Sequence, residues 1–285
     1  MRAFLAILRR ELADAVISPF GQRLATIHLT IASLAVLLGW PISYALGAAG
    51  AAPTFAWWVY SEILMLSYLA LAIPADIFPI ENKIRTGDWI VYGEASIWAI
   101  HFGKTCATLL TILFWLITVI PVMLVALAIS PVNSVQLASL GLFASLLLAT
   151  LVQFGTWIGV TIDSQPFRVV SVDVAFVALM LGSILMQTLS GVFRVPIFAQ
   201  PLEVAARIMN VSAQDVFFGS AAGTLVGLSV PLTTSHEASV SNSISWSTLI
   251  VIYGSLFLTA CVLSLLSLRQ WRERPVKEGD YPDSR

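Results

Sequence analysis

Residues 57–80 read WWVYSEILMLSYLALAIPADIFPI, residues 97–120 read IWAIHFGKTCATLLTILFWLITVI, and between them stands ENKIRTGDWIVYGEA, residues 81–95. A hydrocarbon layer of ~30 Å is crossed by about 20 apolar residues in a helix, so each flank is long enough to span it. The segment between carries Glu81, Lys83, Arg85, Asp88 and Glu94, which belong in water. Two spans joined by a polar hairpin account for the pattern, and the rest of the chain follows the same grammar.

Over the 285 residues, 58% are apolar and only 11% charged, against roughly 25% charged in soluble domains. The net charge of −1 offers no bulk attraction to nucleic acid. Cys106 and Cys261 both sit in apolar runs with no neighbouring Cys or paired His, so both read as packing residues.

Six segments have the length and hydropathy of membrane spans: 24–46, 56–80, 98–129, 135–162, 169–189 and 246–268. The third and fourth exceed a perpendicular crossing, which implies tilt. Pro41, Pro74 and Pro121 fall within spans, and each removes a backbone hydrogen bond and bends its helix. With the N-terminus in the cytoplasm, the 15 Lys and Arg residues fall on the cytoplasmic side except Arg194 and Arg207. Positive charge accumulates inside, so six spans with both termini inside is the self-consistent expectation. AGAA at 49–52 has the small residues of a processing site, but the apolar run before it exceeds a signal core, and the segment is expected to stay attached. The six spans do not align as two similar halves, unlike many repeat-built secondary carriers.

Outside the spans, residues 1–23 include AFLAILRRELADAVIS, in which Leu5, Leu8, Leu12 and Val16 recur at helical spacing opposite Arg10, Glu11 and Asp14. This predicts an amphipathic helix on the membrane surface, broken at Ser18-Pro19. The hairpin is assigned to 81–97. Residues 190–245 form the one large external segment, with short helices expected in PLEVAARIMN and AQDVFFG, a loop in PLTTSHEASVSNSIS, and a chance-level glycosylation triplet at Asn210. Residues 269–285 make a charged cytoplasmic tail anchored by Trp271.

Catalytic patterns are sparse. HFGKT, 101–105, ends like a phosphate-binding loop, yet Trp98 occupies the place of its first glycine and no strand precedes it, so no amide cradle forms. Lys104 is expected to reach toward headgroups. His28 and His101 fall near the cytoplasmic ends of spans at comparable depth, which raises a bis-histidine haem. His236 lies in the external segment with no ligand cluster around it. Glu62, Asp76 and Asp173 stand too far apart for the acidic cluster that a metal-dependent transferase needs. Glu62, below the outer face of the second span, is the candidate for lining a translocation path, with contact to headgroup water as the alternative. No metal, cofactor or catalytic residue is expected from these patterns.

The N-terminal helix with RREL (9–12) and SPF (18–20), Glu81, Lys83 and Thr86 followed by Gly103-Lys104, Pro121, DSQPFR (163–168) and the Arg269–Trp271 ending together resemble the permease subunits of ATP-binding-cassette transporters of the second, exporter-like type. Counted back from Gly103-Lys104, Arg85 stands where that family has glycine and Glu94 where it has proline, with Gly87 and Gly93 one residue away. The resemblance implies an all-helical, six-span permease in the cell membrane, with an N-terminal elbow helix. It also implies a dimer with itself or a similar subunit, coupled to separate ATPase subunits that bind the ATP. The hairpin would be a coupling helix seated in the ATPase, with Glu81, Lys83, Arg85, Thr86, Gly87 and Asp88 as contact residues. A membrane-embedded redox or transferase enzyme built on His28, His101 or the carboxylates, and a stand-alone channel or secondary carrier, stay open beside it.

Overall fold

The computed structural model describes residues 2–40, 53–84, 96–130, 132–190, 201–209 and 246–272, and every element among them is a helix. In chain order these are α1 (Arg2–Ile17), α2 (Pro19–Leu38), α3 (Pro53–Ile84), α4 (Ile97–Thr118), α5 (Ile120–Ile129), α6 (Ser134–Thr161), α7 (Gln165–Ser190), α8 (Pro201–Met209) and α9 (Trp246–Arg272). Five stretches are long and apolar enough to cross a membrane: Gly21–Leu38, Thr54–Asp76, Ile97–Thr118, Ser134–Thr161 and Leu249–Gln270. The remaining segment read from the sequence, 169–189, the fifth in chain order, lies within α7, a helix of 26 residues.

Helix starts follow local chemistry. Ser18, in extended backbone, accepts the Gly21 N–H on its side chain at 3.0 Å, with Pro19 in the first turn of α2. The Ser-Pro pair therefore separates α1 from α2 by a single capping residue, and α2 begins ahead of the expected position 24. Ser96 caps α4 through the Ala99 N–H. At α6, Asn133 and Gln136 satisfy each other's backbone donors in a capping box.

The third predicted span is the one the structure divides. Instead of one bent helix over 98–129, α4 ends at Thr118, and α5 resumes after the buried Val119. Pro121 has no N–H to donate to the Ile117 carbonyl. The chain answers with a tight turn, in which the Val119 N–H reaches Leu116 O at 3.3 Å, and the helix restarts from Val119 O. Pro74, by contrast, is carried inside an unbroken α3.

The core is centred on α6, which packs on α3 along one side and on α9 along the other. Against α9, Phe143 meets Tyr253 edge-on at 5.8 Å, and Thr150 donates to Leu146 O and Tyr253 O. Against α3, Gly155 and Gly159 face the backbone around Pro74. A Cβ on Gly155 would meet Leu71 O and the Pro74 ring, and one on Gly159 would lie 2.6 Å from Ala75 O. Two glycines four apart bring helix backbones together where lipid supplies no hydrophobic force.

α2 and α3 form a hairpin whose connected ends are tied by Thr54 Oγ1 donating to Gly39 O at 2.7 Å. Gly39 also leaves room for Trp57, since a Cβ there would lie 2.8 Å from Trp57 Cβ. α8 packs on α3 and α6 with Val204 and Ala205 buried, and Gln136 donates to Met209 O at 3.1 Å. The helix expected in PLEVAARIMN is present. Residues 210–245, with the Asn210 triplet, AQDVFFG and His236, lie outside the described residues, as do Pro41 and the tail beyond residue 272.

α1 is helical as read, but its inward face is not the leucine stripe. Leu5 is 52% exposed, whereas Ile7 is buried and packs with Ile100, Val160 and Leu268. The helix lies along α4, and its deepest contact is set by Gly103, where a Cβ would lie 3.2 Å from Ile7 Cγ2. The apolar arc of α1 is wide enough for two surfaces, and the glycine groove selects Ile7 for the protein side. Gly103→Leu is expected to lift α1 from α4 and lower stability by about 1–3 kcal/mol, the usual cost of overpacking. Faster proteolysis within residues 2–17, with the remaining helices intact, is the readout.

Candidate functional site

Two polar clamps close the bundle at the end where α1 lies. In the first, Glu11 on α1 accepts from Lys104 Nζ on α4 at 3.4 Å and from Arg10 at 2.8 Å. Lys104 is only 2% exposed, so it does not reach toward headgroups as expected. α1 covers it, and the ammonium bonds inward to Glu11. In the second clamp, Arg168, in the first turns of α7, donates through Nε to Asp76 of α3 at 3.0 Å. Its Nη1 also donates to the carbonyl oxygens of Ile162 and Asp163 at 3.2 and 3.4 Å. One guanidinium thus ties the turn between α6 and α7 to the last third of α3, as its five fixed donors permit.

Between these clamps the chain leaves α3 and enters α4. Glu81 and Lys83 fall in the last turn of α3, which extends to Ile84 instead of ending at residue 80. Their side chains, and all of Arg85, Thr86, Gly87 and Asp88, lie outside the described residues. The expected coupling segment is therefore located by its two ends: α3 held to α7 through Asp76, and α4 held to α1 through Gly103 and Lys104.

Glu62 occupies a different place. His28 Nε2 on α2 lies 2.7 Å from Glu62 Oε2 on α3, with both side chains closed off, at 1% and 7% exposure. Glu62 is thus buried against His28 of the neighbouring helix. At 1.5 Å per residue the pair lies roughly 12–16 Å along the helices from the Gly39–Thr54 tie, well inside the apolar stretches Gly21–Leu38 and Thr54–Asp76. His28 sits deeper than the sequence suggested because α2 starts at Pro19 and ends at Leu38, which recentres the span. A lone carboxylate at that depth costs about 2.5–3.5 kcal/mol on insertion scales, so the partner is what makes Glu62 tolerable. His28 Nδ1 and Glu62 Oε1 complete no hydrogen bond among the described residues.

The remaining ionisable groups are dispersed. His101 Nε2 lies 3.7 Å from Cys261 Sγ on α9. The two histidines thus have separate partners and form no facing pair for a haem. Asp173 accepts from Tyr68 at 3.2 Å, and the Tyr68 ring meets Phe176 edge-on. Among the described residues, no three His, Cys, Asp or Glu side chains gather around one point.

No protein-family model and no curated protein matches this chain.

The sequence reading missed the His28–Glu62, Lys104–Glu11 and Arg168–Asp76 pairs. Each joins residues far apart in the chain, so no local spacing reports them. One usable signal existed: His28 and Glu62 each stand alone among apolar neighbours in spans that are consecutive in sequence. A charge-bearing side chain inside a span calls for a partner on an adjacent helix.

Proposed function

We propose that this chain is the permease subunit of an ATP-driven transporter of the exporter-like ATP-binding-cassette type. It would work as a dimer of permeases with two ATPase subunits held by the 81–97 hairpin. The observation that supports it best is the seating of α1 on the first turns of α4 through Ile7, Gly103, Lys104 and Glu11. That seating lays an amphipathic helix beside the start of α4, into which the polar hairpin leads.

In this reading α7 is the fifth of six spans and α9 the sixth, both termini are cytoplasmic, and α1 is the elbow helix in the inner leaflet. The chain hydrolyses nothing itself. Closure of the ATPases pushes Glu81, Lys83, Arg85, Thr86, Gly87 and Asp88, and the push enters α3 and α4 as rigid-body movement. The two clamps fit that role, because they fasten α3 to α7 and α4 to α1 immediately beyond the hairpin. The His28–Glu62 contact then belongs to the closed arrangement of α2 and α3, and Glu62 would enter the path only if those helices part.

The test is co-expression with an ATP-binding-cassette ATPase encoded beside this chain. A stable complex that hydrolyses ATP is expected. The double charge reversal Arg85→Glu, Asp88→Lys should weaken the complex about tenfold or more, since like charges across an interface cost several kcal/mol, while membrane insertion stays unchanged. A complex of undiminished affinity would remove the hairpin from the interface. Transport by the purified chain with no hydrolase present would end the reading altogether.

A further inference from the structure

We infer that His101, Cys261 and Gln153 form a binding site for one soft monovalent cation, of the Cu(I) or Ag(I) class, where α4, α6 and α9 meet. The site stands whether or not the chain pairs with an ATPase.

The donors come from three helices. The Cys261 sulfur and the His101 ring nitrogen lie 3.7 Å apart, too far for a strong hydrogen bond to sulfur and unbridged by any described atom. At bond lengths of about 2.3 Å to sulfur and about 2.0 Å to nitrogen, that separation subtends about 120° at a shared ion, the angle of trigonal coordination. Gln153 is wholly buried on α6 and faces the His101 ring. The His101 ring is its polar neighbour, and neither its carboxamide oxygen nor its nitrogen completes a hydrogen bond of good geometry. A buried carboxamide left unsatisfied is costly, and its oxygen is the natural third donor.

The neighbourhood repeats the signal. Thr105, one turn along α4 from His101, leaves its buried hydroxyl unbonded, while Thr108 and Thr111 on the same helix bond back to the Lys104 and Ala107 carbonyls. Unsatisfied polar atoms therefore concentrate on the His101 side of α4. Cys261 is only partly buried, which leaves an ion a way in.

Charge selects the class of ion. Binding replaces the thiol proton with the metal and releases that proton to solution. One thiolate and a neutral imidazole around a monovalent cation sum to zero, whereas a divalent ion leaves a net positive charge in a low-dielectric setting. Sulfur and imidazole donors together favour a soft ion over Mg(II) or Ca(II).

The full-length protein, purified in detergent under reducing conditions, is titrated against the Cu(I)–bicinchoninate complex. Wild type is expected to withdraw an equivalent of Cu(I) per chain, and Cys106→Ser to do the same. Cys261→Ser should lose the transfer, and His101→Gln should weaken it about tenfold or more. Cu(I) should also raise the thermal midpoint of wild type and of Cys106→Ser, but not of Cys261→Ser. If Cys261→Ser does not fold, alkylating Cys261 in the folded Cys106→Ser protein makes the same comparison. No transfer to wild type, retention by the Cys261→Ser or alkylated protein, or loss in Cys106→Ser each overturns the site; in the last two cases the metal contact is adventitious.

Discussion

Gly155→Leu is expected to unfold the bundle at markedly lower temperature than wild type, with a loss of about 3 kcal/mol or more. The estimate rests on which atoms stand in the way. A Cβ at residue 155 would run into the Leu71 carbonyl oxygen and the Pro74 ring, and one at residue 159 into the Ala75 and Pro74 carbonyls. These are backbone atoms and a proline ring of α3, so no rotamer change relieves the clash. Overpacking of this kind costs about 1–3 kcal/mol where side chains can yield, and more where helices must separate. Gly159→Leu should behave alike, and Gly155→Ala should fall between.

Gly141 and Gly254 supply the control. No heavy atom lies within 4 Å of a Cβ built at either, so alanine there is expected to leave the midpoint unchanged. Thermal unfolding in a mild detergent, followed by loss of the monodisperse gel-filtration peak, separates the two groups. Equal midpoints for Gly155→Leu and Gly141→Ala would mean that α3 and α6 are not held at this contact.

The second large effect concerns the buried His28–Glu62 pair. His28→Leu leaves Glu62 buried with no partner, and Glu62→Leu strands the imidazole. Leaving a buried polar group without its hydrogen-bond partner typically costs about 1–3 kcal/mol, and more where the group is charged, because the survivor keeps its desolvation penalty without its compensation. The two changes made together should cost far less than their sum, since an apolar pair of similar volume is often close to neutral there. A double-mutant cycle on the unfolding free energies measures the difference. A near-zero coupling energy would mean that His28 and Glu62 are not in contact in the folded protein.

These two predictions differ in how far the sequence anticipates them. Hydropathy alone marks out the helices, because a span is a local property: about 20 apolar neighbours decide it without reference to the rest of the chain. The break at Ser18-Pro19 is legible for the same reason. The break at Val119 is half legible. Pro121 announces a disturbance, but whether a helix runs through its proline, as α3 runs through Pro74, or ends before it depends on what surrounds the freed carbonyls.

Contacts between helices are a different matter. Gly155 and Gly159 stand four apart in the manner of a packing motif, yet nothing local says that the surface they meet is the Pro74 region of α3. Which face of α1 turns inward is likewise decided by the glycine on α4 and not by α1. Glu62 could be recognised as anomalous from its apolar neighbours, but its partner on α2 depends on a register that the helix ends fix. The hairpin assignment rests on composition and on resemblance, and its residues 85–95 contribute no geometry to either.

The interruption at Val119 has a mechanical consequence. A continuous rod transmits displacement along its full length, whereas a rod cut at a buried joint passes on translation but lets the far segment keep its own orientation. Both segments rest on α2 and α3, while α4 alone is also gripped by α1, α6 and α9 among the described helices, so the joint frees the direction of α5 from the larger set of contacts that holds α4.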